Sequence, residues 1–214
     1  MAVYNDKISA YITEMFARED EVQKRIPNEN TQRGLPNIGV RPEEGRFLQV
    51  LVRACAARKA VEIGTLGGYS GIWIARGLAD GGRLVSLELE AHHADVAREH
   101  FRQAGVANQV EVRVGDAHQL LQELYNEGPF DFVFIDAEKP GYKDYLAWAV
   151  KILRMGGVLA AHNAFSGGEV IPNGHNSGNG PTMHAFNQAV SSHPQLLATI
   201  YPGGDGMVVA VKVT

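Results

Sequence analysis

Residues 61–71 read VEIGTLGGYSG, an apolar run that breaks into glycines and then resumes as a helical pattern. Glycines between a strand and a helix permit a tight turn, a close backbone approach by a ligand, and free N–H groups at the helix start. The spacing narrows what such a loop can hold. A nicotinamide-dinucleotide loop needs G-x-G-x-x-G, whereas Gly64 is followed by Thr65 and Leu66. A phosphate loop needs a Lys after its last glycine, and here Tyr69 follows Gly68. What fits is acid-x-Gly-x-x-x-Gly, over Glu62, Gly64 and Gly68.

Outward from this loop the chain alternates. KAVEIG (59–64), GRLVSLEL (82–89), QVEVRVGD (109–116), FDFVFID (130–136) and GVLAAHN (157–163) have the composition of strands. SGIWIARGLAD (70–80), HADVAREHFRQAG (93–105), AHQLLQELYNE (117–127) and GYKDYLAWAVKILRMGG (141–157) have that of helices. Such alternation predicts an α/β fold, a doubly wound and mostly parallel sheet covered on both faces. TMHAFNQAVSS adds a helix, and LLATIYPGGDGMVVAVKV a closing hairpin.

Residues 1–40 stand apart as an N-terminal helix and loop. Ile8, Tyr11, Ile12, Met15 and Phe16 share one helical face, RIPNENTQRGLPNIGV reads as loop, and the domain proper spans 41–214. Pro42 opens a helix running to about Arg58, with Glu43 and Glu44 near its positive dipole end. The Gly/Asn-rich loop 166–180 is a candidate substrate lid.

The 214 residues suit one compact domain, and a net charge of −4 offers no basic field for nucleic acid. No apolar run approaches a membrane span, and the start of the chain lacks the pattern of a signal peptide, so a cytoplasmic location is expected. Cys55, the single cysteine, is expected to be a small buried hydrophobe.

In doubly wound sheets, ligands bind beyond the carboxyl ends of the strands. Glu88, ending the second strand about twenty residues after the glycines, is placed to accept the hydroxyls of a ribose. Asp116, after the third, either caps the next helix or faces an adenine. Together these ends describe a nucleoside site without a phosphate cradle, which suits S-adenosylmethionine better than NAD or ATP. Asp136 closes the fourth strand, with Lys139, Tyr142 and Tyr145 following at intervals of three. A carboxylate ending an apolar strand calls for a cation: a metal, a ligand ammonium or Lys139.

RPEEGRFLQVL, VEIGTLGGYS, GPFDFVFIDAEKPGYKDYL, GGVLAAHN and GDGMVVAVK, in this order from Arg41 to the C-terminus, resemble the class I O-methyltransferases of the catechol and caffeoyl-CoA type. The resemblance implies a seven-stranded, Rossmann-like sheet and transfer of a methyl group from S-adenosylmethionine to a hydroxyl of a small aromatic substrate. It also implies that Ser70 and the backbone near Val40 hold the methionine carboxylate, while Glu62, Gly64 and Gly68 shape the pocket for the amino end. Glu88 takes the ribose, Asp116 and Ala117 border the adenine, and Asp136 lies between the cofactor amine and a divalent metal. Lys139 lies near the attacking oxygen, and a homodimer is expected.

One position departs from the family. Its fifth strand usually ends in Asp-Asn, which completes the metal site, and this chain has His162-Asn163. Three readings follow. Asp136, His162 and Asn163 hold a metal softer than Mg²⁺; or no metal binds and His162 is the general base; or His162 is a hydrogen-bonded strand-end residue. A cofactor-binding module that has lost catalysis is the rival from another class. Of the other histidines, His100 and His193 read as helix surface, His92 and His93 as solvent-facing or at the adenine rim, and His175 falls in the loop.

Overall fold

The computed structural model describes residues 4–171 and 178–214, so His175 and part of the candidate lid lie outside the described residues. Seven strands form one sheet: β1 Lys59–Ile63, β2 Arg83–Glu88, β3 Val110–Val114, β4 Phe130–Ile135, β5 Leu153–His162, β6 Leu196–Tyr201 and β7 Met207–Lys212. Their spatial order is β3-β2-β1-β4-β5-β7-β6. The first five run parallel, and β7 is antiparallel to both β5 and β6.

The alternation of side chains along each strand separates two cores. Val61, Ile63, Val133, Ile135, Leu159 and Ala161 point to one face, under α6 (Ala117–Leu124), α7 (Tyr142–Ile152) and α8 (Gly180–Ser191). Ala60, Leu84, Phe132, Phe134, Val158 and Ala160 point to the other, against α3 (Pro42–Ala54) and α4 (Tyr69–Gly77). A sheet buried on both faces needs apolar residues at odd and even positions alike, which is why these strands read as unbroken runs.

Three expectations are corrected. RIPNENTQRGLPNIGV is not all loop, because α2 (Glu21–Gln32) contains its first half. Pro27 removes one backbone donor inside that helix. The Asp20–Gln23 capping box and the buried Ile26 outweigh this loss, which composition alone does not reveal. The helix expected over 141–157 ends at Ile152, and β5 begins at Leu153. Gly156, at φ +74°, lets that strand slip register against β4 before it resumes at Val158. The α3 helix ends at Ala54, and Cys55 is its C-cap, half-buried against the second core and not fully inside it.

The N-terminal segment is not a loose appendage. Arg76 of α4 pairs with Asp20 and donates to Gln23, Tyr69 donates to Glu19, and α2 packs on α5 (Ala91–Gln103). By contrast α1 (Asp6–Phe16) leaves Tyr11, Met15 and Phe16 of its apolar face exposed. Among the described residues no helix is long and apolar enough to cross a membrane.

The carboxyl ends of β1 and β4 meet closely. Asp136 N donates to Ile63 O at 2.9 Å, and a Cβ on Gly64 would lie 2.1 Å from Asp136 O. Gly64 has φ +99°, so the position excludes a side chain on two grounds. Gly64→Ala is expected to lower stability by at least about 2 kcal/mol, read from urea unfolding.

Candidate active site

The adjacent ends of β1 and β4 are joined by the Asp136–Ile63 hydrogen bond, and the residues expected at the strand ends find the following partners. Glu62 is fully buried, accepting from Ser70 Oγ at 2.5 Å and Ser86 Oγ at 2.6 Å. Glu88 grips the glycine loop, its Oε2 accepting from Thr65 N at 3.2 Å and Leu66 N at 2.7 Å. Gly68, at φ +82°, opens α4. Asp116 caps α6 by accepting from Gln119 N at 3.2 Å, and Ala117 is that helix's first residue. Val40 is buried where the chain enters α3.

On the β4–β5 side, His162 is 5% exposed and lies between two carboxylates. Its Nε2 is 3.0 Å from Glu44 Oε1, and its Nδ1 is 3.3 Å from Asp136 Oδ2. Burial alone would depress the imidazole pKa, but the hydrogen bonds to Asp136 and Glu44 outweigh it and raise the value to about 10. The ring is therefore a cation at neutral pH. For Asp136, burial pushes upward and is outweighed by the His162 hydrogen bond and the His162 and Lys139 charges, so its carboxyl falls below the usual range. Lys139 Nζ lies 2.7 Å from Tyr142 Oη, 3.0 Å from Ala137 O and 3.5 Å from Asp136 Oδ1. Burial lowers its pKa against the pull of Asp136.

The donor set does not fit a divalent metal. Both ring nitrogens of His162 are taken up by carboxylates, Nε2 by Glu44 and Nδ1 by Asp136. Asn163, at φ +59°, donates its Nδ2 to Asp205 Oδ2 at 3.0 Å. No group of three or more His, Cys, Asp or Glu side chains is arranged to hold a metal ion among the described residues.

Glu44 and Asp205 escaped the sequence reading. Glu44 looks like a dipole charge at a helix start, and it does accept from Arg41 N at 2.8 Å. Yet it is 1% exposed and in helical register with the buried Leu48 and Val52. That placement on an apolar face was the available signal. Asp205 sits in the β6–β7 turn, where its Oδ1 also accepts from Gly167 N at 2.7 Å. His100 is wholly buried, contrary to the helix-surface expectation, because its two ring nitrogens find internal partners at Gly67 O and Glu29. His193 lies beyond the end of α8, not on its surface. His92 Nε2 is 2.9 Å from Arg33 O, and His93 Nδ1 is 3.5 Å from Glu88 Oε1.

Glu62 generates a pH prediction. Burial raises its pKa from 4.5 to about 7, with the Ser70 and Ser86 hydrogen bonds opposing. The native state then binds a proton that the unfolded state releases, so stability falls as pH rises from 4.5 through 7. The fall is up to about 3 kcal/mol. In cofactor-free protein, urea midpoints from pH 5 to 8 should show this decline in the wild type. Glu62→Gln should lose the part below pH 6.5 and keep a decline above it, where the unfolded state releases the proton that native His162 holds.

Comparison with known proteins agrees with this geometry. A family model described as O-methyltransferase matches residues 13–213. A catechol O-methyltransferase of Niastella koreensis is 36% identical over 213 residues, 96% of each chain. One from Mycobacterium tuberculosis is 41% identical over 182 residues, 83% of this chain and 82% of that one. The crystal structure of a Bacillus cereus O-methyltransferase in complex with SAH superposes with a TM-score of 0.89 at 39% identity, covering 96% of this chain and 97% of that one. The chain belongs to this family and is an S-adenosylmethionine-dependent O-methyltransferase.

Proposed function

We propose that the enzyme methylates a hydroxyl of a small phenolic or catechol-like acceptor and does so without a divalent metal. The observation that carries the metal-free reading is the His162 ring, bonded to Glu44 on one side and to Asp136 on the other. A metal beside the acceptor acts as a positive charge and a template. In this reading the imidazolium supplies the charge, and the fixed ends of β4 and β5 supply the template. The acceptor class is supported by the two relatives named catechol O-methyltransferase.

Lys139 is the group best suited to the proton. Burial lowers its pKa, so reaching the neutral amine takes less free energy than in water. The acceptor hydroxyl gives its proton to that amine as its oxygen bonds to the methyl carbon. The C–S bond breaks with its electron pair going to sulfur, so the sulfonium charge disappears and S-adenosylhomocysteine leaves. His162 as general base has less support, because a ring holding both hydrogens accepts none. Its part is to hold charge beside Asp136, leaving that carboxylate to face the cofactor amine together with Glu62. Val40, Gly64, Gly68, Ser70, Glu88, Asp116 and Ala117 complete the proposed cofactor site. We also propose a homodimer in which the N-terminal residues serve as contact or substrate cover, supported by the exposed Tyr11, Met15 and Phe16 of α1.

Two experiments test the metal-free reading and one tests the base. Protein dialysed against a chelator should keep its full rate with catechol and S-adenosylmethionine; a loss restored by Mg²⁺ or Mn²⁺ would sink the metal-free reading. His162→Asp restores the family's Asp-Asn pair and should bind Mn²⁺ in calorimetry where the wild type does not, and become sensitive to chelator. For the base, Lys139→Met should lower kcat by about 10²–10⁴-fold.

A further inference from the structure

The glycine loop between β1 and α4 is strained and held from several sides. Leu66, not a glycine, has φ +46°, a conformation that costs an L-residue about 1–2 kcal/mol. Such a residue persists when its surroundings over-determine it. Gly64 N donates to Leu87 O, Glu88 takes the N–H groups of Thr65 and Leu66, and Gly68 N donates to Thr65 O. Each of these ties stays within the loop or reaches the neighbouring β2 strand.

The tie at Gly67 is different. His100 of α5, fully buried, donates from Nδ1 to Gly67 O at 2.7 Å. Its Nε2 lies 3.0 Å from Glu29 Oε2 of α2. Asn30 of the same helix packs against Gly67 so closely that a Cβ there would lie 2.1 Å from Asn30 Oδ1. That Oδ1 is buried and has no hydrogen-bond partner. A polar atom accepted at that cost marks a contact fixed by shape.

We propose that His100 is a positioning residue for the methyl donor: through Gly67 it fixes the cofactor loop, and through Glu29 it makes helix α2 part of the cofactor site. The role concerns binding of the donor and is independent of the acceptor and of the metal question. His100 touches neither reacting atom, so its removal loosens the loop without altering the transfer step.

Two substitutions separate its bonds. Asparagine places an amide nitrogen near the Nδ1 position and can keep the Gly67 bond, whereas glutamine reaches the Nε2 position and can keep only the Glu29 bond. His100→Gln should raise the KM for S-adenosylmethionine and the Kd for S-adenosylhomocysteine by about tenfold, as expected for a lost hydrogen bond on a strained loop, while kcat at saturating donor and the acceptor KM hold. His100→Asn should return both constants toward wild type. Equal effects of the two variants, a larger effect of His100→Asn, or no effect on either constant would overturn the proposal. If the His100 variants fail to fold, Glu29 gives the same test. Glu29→Ala should weaken S-adenosylhomocysteine binding several-fold and Glu29→Gln should restore it, whereas unchanged binding in Glu29→Ala would overturn it.

Discussion

The constraint on which this site depends is that Asp136, at the end of an apolar strand, must be neutralised where water is scarce. An uncompensated carboxylate there would cost several kcal/mol. The chain meets the demand from two directions, with Lys139 three residues on and with His162 from β5. The second cation then needs its own counter-charge, which Glu44 of α3 supplies. Asp136, Glu44, Lys139 and His162 thus form a cluster of acidic and basic side chains linking α3 with the ends of β4 and β5.

This pairing underlies the proposed metal-free reading. The sequence resemblance implies a family pattern of two aspartates and an asparagine, whose excess negative charge a divalent cation would balance. In the proposed reading, His162 in the place of Asp removes a negative charge, and Glu44 holds the positive charge that replaces it. A charge provided by a side chain is already in place before substrate arrives, so no ion has to be recruited or dehydrated. An imidazolium offers charge and hydrogen bonds but no Lewis acidity, so the proposed metal-free reading leaves the proton transfer to Lys139. The glycine loop is a second constrained element, with Leu66 at φ +46° and the N–H groups of Thr65 and Leu66 taken by Glu88.

Much of this was legible along the chain. The alternation of runs predicted the sheet, which the structure shows, while the glycine motif singled out Glu62 and the strand ends singled out Glu88 and Asp136. GVLAAHN pointed to His162 because an imidazole is unusual at an apolar strand's end. What was hidden depends on pairs distant in sequence: Glu44 and His162 are 118 residues apart, and Glu29 and His100 are 71. Local composition reads Glu44 as a cap charge, and that reading is true but incomplete. Helix α2 was obscured for the opposite reason, since Pro27 and the asparagines argue against a helix that tertiary contacts and a capping box sustain.

The central claim is that the His162 ring is a permanent cation in the place of a metal. Nitrogen-15 NMR of histidine-labelled protein reads it directly. The account predicts that His162 carries hydrogen on both ring nitrogens from pH 6 to 8.5, unchanged on adding Mg²⁺ or Zn²⁺. A neutral ring at pH 7.5, with one unprotonated nitrogen whose signal shifts when Zn²⁺ is added, would contradict it.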